Sequence, residues 1–173
     1  MKTSTLRLAA GVVFAASGFL VQAAGPLYPE VARASADIDA ALETAAKTKR
    51  RVIVDFGGNW CGDCKVLDIN LKKPENAALL AKHYVLVHVN VGEKGITDNF
   101  EIAGRYGIPL RKGVPAMAIL ESDGTVVYAQ KNGEFESMRK MDPKSVNEFL
   151  VNWKSFRRPG AGRDSAGFRP APE

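Results

Sequence analysis

The chain has 173 residues, of which 46% are hydrophobic and 25% are charged, and it contains only two cysteines. This composition excludes a disordered chain, a collagen and a cysteine-dense mini-protein, while the length allows one domain with tails. The formal net charge of +5 resides mainly near the two ends of the chain, so the body is nearly neutral and we expect no nucleic-acid partner.

Residues 1–23 have the pattern of a secretory signal peptide. A short positive segment with Lys2 and Arg7 precedes an apolar run that ends at small residues suited to cleavage. The alternative is an uncleaved anchor, but a span needs roughly 20 apolar residues and this run is shorter, so we expect no stable membrane insertion. We expect the mature protein to begin near Ala24 and to work in a bacterial periplasm, where thiols tend to be oxidised.

The mature chain alternates helical and strand patterns. In chain order, these patterns predict a helix over 31–45, a strand over 51–56, a helix from 61 that is interrupted at Pro74 and resumes to 82, a strand over 84–91, a short helix over 98–106, strands over 116–121 and 125–130 around Asp123-Gly124, and a last helix that begins at Asp142-Pro143. The order predicts an α/β fold in which helices flank a mixed central sheet.

Cys61 and Cys64 directly follow the first predicted strand and open a helix. Cysteines three apart at a helix start suit a disulfide, which needs Cα atoms about 5 to 6 Å apart. As a structural staple, such a bond would close a very short loop and contribute only roughly 2 kcal/mol. The redox alternative has a mechanism, because the helix N-terminus lowers the pKa of the Cys61 thiol and makes it the attacking group, which Cys64 then resolves.

Asp55 is a carboxyl in an apolar strand just ahead of the cysteines. It shares a strand face with Ile53, while Val52, Val54 and Phe56 point the other way. Burial disfavours the charged form of a carboxyl, so we predict that Asp55 exchanges protons during the reaction. The alternative is an aspartate at a strand end that caps a loop amide.

Four segments together resemble the thioredoxin superfamily over roughly 35–154: Val54-Asp55-Phe56, Trp60-Cys61-Gly62-Asp63-Cys64-Lys65, Tyr106-Gly107-Ile108 and Gly113-Val114-Pro115. The resemblance implies a thioredoxin-like domain over 35–156, after a lead-in over 24–34 and before a flexible tail over 157–173. It also implies roles for the site residues. Cys61 attacks, Cys64 resolves, Asp55 is the acid and base that serves Cys64, Trp60 packs beside the disulfide, and Val114 and a cis Pro115 bind an extended substrate.

The sequence departs from thioredoxin itself in three places. Asp63, in the dipeptide Gly62-Asp63, replaces a proline. Its negative charge would raise the pKa of the Cys61 thiol, yet an acid in the first helical turn also stabilises the helix, so the net sign stays open. The loops at 109–112 and 132–141 are longer, and the apolar side chains of the second, at Phe135, Met138 and Met141, would form either a partner-binding lip or internal packing.

The resemblance predicts a thiol-disulfide oxidoreductase that acts on protein disulfides without a cofactor. The dipeptide lacks the histidine that stabilises a thiolate in strong oxidants, which favours a reductant or exchange enzyme supplied by a membrane-embedded thiol donor. Alternatives are a copper(I) metallochaperone that uses the same two cysteines as soft ligands and an adaptor that only binds partners. The spacing of Cys64, His83 and His88 is wrong for a zinc site, so we predict no metal ligands.

Overall fold

A computed structural model of the chain describes residues 25–154. The predicted signal peptide over 1–23 and the predicted tail over 157–173 lie outside the described residues. Within 25–154, no helix is both long enough and apolar enough to cross a bilayer.

The described helices and strands follow the predicted order. The helices are α1 (Ala34–Thr48), α2 (Gly62–Leu71), α3 (Pro74–His83), α4 (Phe100–Arg105) and α5 (Lys144–Trp153), and the strands are β1 (Arg51–Gly57), β2 (Tyr84–Asn90), β3 (Ala116–Leu120) and β4 (Val126–Ala129). Short 3-10 turns occur at Val31–Arg33, Leu110–Lys112 and Met138–Lys140. Pro74 begins α3 after an extended Lys73, because a residue before proline avoids the helical conformation.

The strands form one sheet in the order β2-β1-β3-β4, with β1 and β2 parallel and the other pairs antiparallel. This mixed sheet confirms the predicted fold class. Strand β1 lies inside the sheet and is buried from Val52 to Gly57, which is typical of a strand covered on both faces. Asp55 is therefore held at the centre of the molecule.

Two apolar cores cover the two faces of the sheet. Val52, Val54 and Phe56 pack with the buried face of α1, whereas Ile53 packs with the apolar sides of α2 and α5. The alternation along β1 thus follows the predicted division between its two faces. Helix α2 is fixed to the second face by Leu67, which is fully buried, and this packing orients the two cysteines at its start.

The lead-in before α1 packs against the domain without forming a strand. Tyr28 is only 1% exposed, and amide side chains supply the hydrogen bonds that a neighbouring strand would otherwise give. Asn90 Nδ2 donates to the Pro29 carbonyl at 2.9 Å, and Asn99 Nδ2 donates to the Val31 carbonyl at 3.1 Å. The lead-in is thereby tied to the end of β2 and to the loop that precedes α4.

The segment 132–141 is anchored by its apolar side chains. Phe135 and Met138 are buried in the core formed with α2 and α5, and Met141 packs partly buried against the same core. The packing alternative is therefore confirmed, and the interpretation as an exposed partner-binding lip is wrong. With the segment anchored in this way, its polar side chains Glu136 and Arg139 lie against Gly113 and Asp63.

Candidate active site

Cys61 and Cys64 form a disulfide at the N-terminus of α2, with their Cα atoms 5.3 Å apart. Cys61 is the N-cap residue, and its Sγ accepts a hydrogen bond of 3.1 Å from the backbone N–H of Cys64. The same donor stabilises negative charge on Cys61 Sγ in the reduced protein. Cys61 is 5% exposed whereas Cys64 is fully buried, so a partner that approaches from solvent meets Cys61 first.

The loop before β3 faces the disulfide. The Val114–Pro115 peptide bond is cis, as the resemblance implies, and the carbonyl oxygen of Val114 lies 3.7 Å from Cys61 Sγ. Gly113, the preceding residue, has a φ of +113°, a conformation that favours glycine. An extended chain bound beside Val114 would therefore lie next to Cys61 Sγ.

Trp60 directly precedes Cys61 in the chain. Its indole Nε1 donates to the Gly92 carbonyl at 2.7 Å, and the side chain is 39% exposed. A Cβ at Gly58 would lie 2.5 Å from Trp60 Nε1, so only glycine allows the ring to lie where it does. Trp60 thus keeps a fixed position while offering apolar surface to a partner.

Arg139 pairs with the aspartate of the active-site dipeptide. Its backbone N–H donates to Asp63 Oδ1 at 2.9 Å, and its Nε and Nη2 donate to Asp63 Oδ2 at 3.1 and 2.9 Å. These hydrogen bonds hold the pKa of Asp63 below its usual value. The carboxylate beside Cys61 is therefore ionised at neutral pH, and a guanidinium charge compensates it.

The segment 132–141 also reaches the loop before β3. A Cβ at Gly113 would lie 2.7 Å from Glu136 Oε2, and one at Gly133 would lie 2.8 Å from the same oxygen. The segment therefore contacts Gly113 through Glu136 and Asp63 through Arg139. One insertion thus contacts both the loop before β3 and the start of α2.

Asp55 lies behind the cysteine pair and is 1% exposed. Its Oδ2 accepts a hydrogen bond of 2.7 Å from the Tyr28 hydroxyl and lies 2.9 Å from His88 Nδ1. Among the described residues, its Oδ1 is buried without a hydrogen-bond partner. The hydrogen bonds of Asp55 are thus made with side chains, and it does not cap a loop amide. Burial, and then the adjacent Asp55, raise the pKa of Tyr28.

The sequence analysis missed three residues of this site. No pattern marked Tyr28, which lies in the lead-in, or Arg139, which lies 76 positions from Asp63. His88 carried a usable signal, because two adjacent parallel strands place it opposite Asp55 in the register. Without that register, the sequence predicts only a core or edge histidine at this position.

Comparison with known proteins gives one consistent family. A family model described as thioredoxin-like matches residues 33–122. The crystal structure of a disulphide isomerase from Xylella fastidiosa is 36% identical, with a TM-score of 0.68 over 74% of this chain and 96% of that one.

Two curated relatives share shorter regions with the chain. It is 30% identical over 122 residues to a protein disulfide-isomerase from Ricinus communis, and 25% identical over 125 residues to the thiol:disulfide interchange protein DsbD of Pseudomonas fluorescens. The alignments cover 61% and 72% of this chain but 23% and 19% of those proteins. The chain therefore spans about a fifth of the length of these two relatives.

The contact between Asp63 and Arg139 predicts a change in the reactivity of Cys61. Arg139→Gln leaves the Asp63 charge uncompensated beside the Cys61 thiolate, so alkylation of Cys61 in the reduced protein at pH 6 should slow by about threefold, within the range for exposed ion pairs. Asp63→Asn should not slow alkylation, and the double variant should behave like Asp63→Asn. Arg33→Gln is the control, because it removes another exposed arginine that pairs with an aspartate, Asp37. Equal alkylation rates for Arg139→Gln and wild type would contradict this coupling.

Proposed function

The chain belongs to the thioredoxin-like family, and from this membership we propose that it exchanges its Cys61–Cys64 disulfide with disulfides of other proteins. It is a thioredoxin-like disulfide oxidoreductase. The observation that carries the proposal is a cysteine pair that is bonded at a helix N-terminus, with the less buried sulfur of Cys61 next to the Val114 carbonyl. A stabilising staple would not need the helix end.

The exchange proceeds in two steps that the two sulfurs divide between them. In the reduced protein, the Cys61 thiolate attacks one sulfur of a substrate disulfide, and the other substrate sulfur leaves as a thiolate. Cys64 then loses its proton, and its thiolate attacks Cys61 Sγ and releases the second substrate thiolate. Two electrons pass to the substrate, the substrate thiolates take up protons, and the Cys61–Cys64 disulfide forms.

The loop before β3 supplies the surface for the substrate. Val114 presents backbone beside Cys61 Sγ, and an extended peptide could pair with that backbone as an added strand. Trp60, next to Cys61 in the chain, adds exposed aromatic surface. The backbone contact at Val114 is independent of the substrate side chains, which suits an enzyme acting on several protein disulfides.

Single serine variants separate the two sulfurs. Cys64→Ser should trap a stable mixed disulfide with a protein disulfide such as insulin, because Cys61 attacks but nothing resolves the adduct. Cys61→Ser should form no adduct and lower insulin reduction to the background rate. The two variants are matched controls, since each removes the disulfide, and adducts are measured by mass spectrometry.

Full activity of Cys61→Ser would contradict the proposal. Stoichiometric binding of copper(I) by a reduced protein that exchanges no disulfides would support the metallochaperone alternative.

We propose that the enzyme acts as a reductant or exchange enzyme and does not act as a strong oxidant. The dipeptide contains no histidine to stabilise the Cys61 thiolate, and the charge of Arg139 is shared with Asp63. A strongly stabilised thiolate is what makes the reduced form of an oxidant favourable. The Cys61 environment supplies only the helix N-terminus and a compensated ion pair.

The reduction potential of the cysteine pair decides between reductant and oxidant. It is measured by equilibrating the protein with buffers of known ratios of reduced to oxidised glutathione. Thioredoxin-like reductants have potentials near −270 mV and strong oxidants near −120 mV, about five powers of ten apart in equilibrium constant. We expect a value closer to the former. A potential above about −150 mV would assign the enzyme to the oxidants.

We also propose that the enzyme works in the periplasm and receives electrons from a membrane-embedded thiol donor. The pattern over 1–23 supports export, and a reductant in an oxidising compartment needs a continuous electron supply. Cell fractionation followed by N-terminal sequencing should find a periplasmic protein that begins near Ala24. Recovery in the cytoplasm with Met1 retained would contradict both the compartment and the donor.

A further inference from the structure

The Cys64 thiol cannot pass its proton to solvent as readily as the Cys61 thiol can. It must lose its proton before it attacks the mixed disulfide, yet its side chain is fully buried. Solvent therefore cannot take the proton directly, and a buried group must accept it. Asp55 is a buried carboxyl, so the groups between Cys64 and Asp55 determine how the mixed disulfide is resolved.

The Tyr28 hydroxyl is hydrogen-bonded to Asp55 and is a neighbour of Cys64. It donates to Asp55 Oδ2 at 2.7 Å, and its position relative to Cys64 follows from Gly57. A Cβ at Gly57 would lie 2.4 Å from the Tyr28 hydroxyl oxygen and 2.9 Å from Cys64 Sγ. The hydroxyl and the sulfur thus crowd the same side of one glycine, where no other residue leaves room for both.

The backbone of Tyr28 is fixed to the cysteine loop. Asn59 Oδ1 accepts from the Tyr28 N–H at 3.0 Å, and Asn59 Nδ2 donates to the Tyr28 carbonyl at 2.8 Å. Asn59 lies two positions before Cys61, so these bonds couple the lead-in to the start of α2. The hydroxyl is held in place without help from solvent.

His88 connects the other end of the network to solvent. Its Nδ1 lies 2.9 Å from Asp55 Oδ2, and its side chain is 18% exposed while that of Asp55 is 1% exposed. Its ring also packs edge-on against the Tyr28 ring, with centroids 5.1 Å apart. Besides Asp55 and His88, the charged group that acts on Tyr28 is Asp68 on α2.

We propose that the Tyr28 hydroxyl relays the proton between Cys64 and Asp55, and that His88 exchanges it with solvent. This inference rests on the proposed disulfide exchange. As Cys64 attacks, its thiol proton passes to the Tyr28 oxygen while the Tyr28 proton passes to Asp55 Oδ2. Asp55 then loses the proton to solvent through the partly exposed His88, whose Nδ1 adjoins Asp55 Oδ2. In the reverse reaction every transfer runs backwards.

The concerted transfer is what the environment of Tyr28 requires. Burial raises the pKa of Tyr28, so a free phenolate would be costly there. A hydroxyl that accepts one proton while it gives up another never becomes a phenolate. Tyr28 is accordingly a positioning and relay group that acts between Cys64 and Asp55, and it is needed for resolution but not for the attack by Cys61.

Tyr28→Phe tests the relay because it keeps the ring and removes only the hydroxyl. We expect resolution of a preformed mixed disulfide, followed by stopped-flow fluorescence, to slow by about 100-fold or more, as for loss of a general acid–base group. Formation of the mixed disulfide, measured in a Cys64→Ser background, should keep the rate of the Cys64→Ser protein, because attack by Cys61 does not use the Tyr28 hydroxyl. The resolution rate of Tyr28→Phe should also vary less with pH than the resolution rate of the wild type.

Tyr84→Phe is the matched control. Tyr84 is likewise buried, at 2% exposure, and its hydroxyl donates to the Leu150 carbonyl at 2.8 Å, so this variant loses a buried hydrogen bond outside the site. It should lose stability and resolve at the wild-type rate. Wild-type resolution by Tyr28→Phe, or equal slowing of both steps, would overturn the relay.

A measurement on the wild type avoids any effect of the variants on folding. Resolution rates in mixtures of H2O and D2O should depend on deuterium content along a bowed curve, because two protons move together. A linear dependence would overturn the relay while leaving the exchange reaction intact. Failure of the proposed function looks different, since the wild type would then form no mixed disulfide at all.

Discussion

A carboxyl buried at the centre of the sheet has to be hydrogen-bonded, and this requirement at Asp55 organises the site. Leaving a buried polar group unpaired costs on the order of 1–3 kcal/mol, and both partners of Asp55 come from other parts of the chain. Tyr28 reaches it from the lead-in and His88 from β2. The lead-in therefore has to stay against the domain, and its asparagine contacts serve the same end. The three side chains that satisfy this requirement are also the ones to which we assign the proton transfer.

The insertion over 132–141 solves a second electrostatic problem, at the surface. An uncompensated Asp63 would oppose a thiolate on Cys61, and Arg139 removes most of that opposition through hydrogen bonds to both carboxylate oxygens. Exposed ion pairs contribute little to stability, so the contact is better understood through its effect on the neighbouring sulfur. Burial of Phe135 and Met138 supplies the stability that holds Arg139 at Asp63.

The fold could be predicted from the sequence because its signals are local. Apolar periodicity located the helices, the β-branched run located β1, and Asp123-Gly124 located the hairpin between β3 and β4. The cysteine pair was visible for the same reason. Tyr28 and Arg139 were invisible because their partners lie 27 and 76 positions away, and one sequence carries no record of such contacts. The lead-in also has no alternation of apolar and polar residues to mark it, because it is held by asparagine side chains and does not pair as a strand.

The two sulfurs of one disulfide are thus placed under different physical control. Cys61 is 5% exposed, and its reactivity depends on the helix N-terminus and on the charges of Asp63 and Arg139, which solvent partly screens. Cys64 is buried, and screening is weak around the groups that take its proton. On the proposed mechanism, a substitution at the dipeptide should change how readily a substrate is attacked, whereas a substitution at Tyr28 should change how quickly it is released.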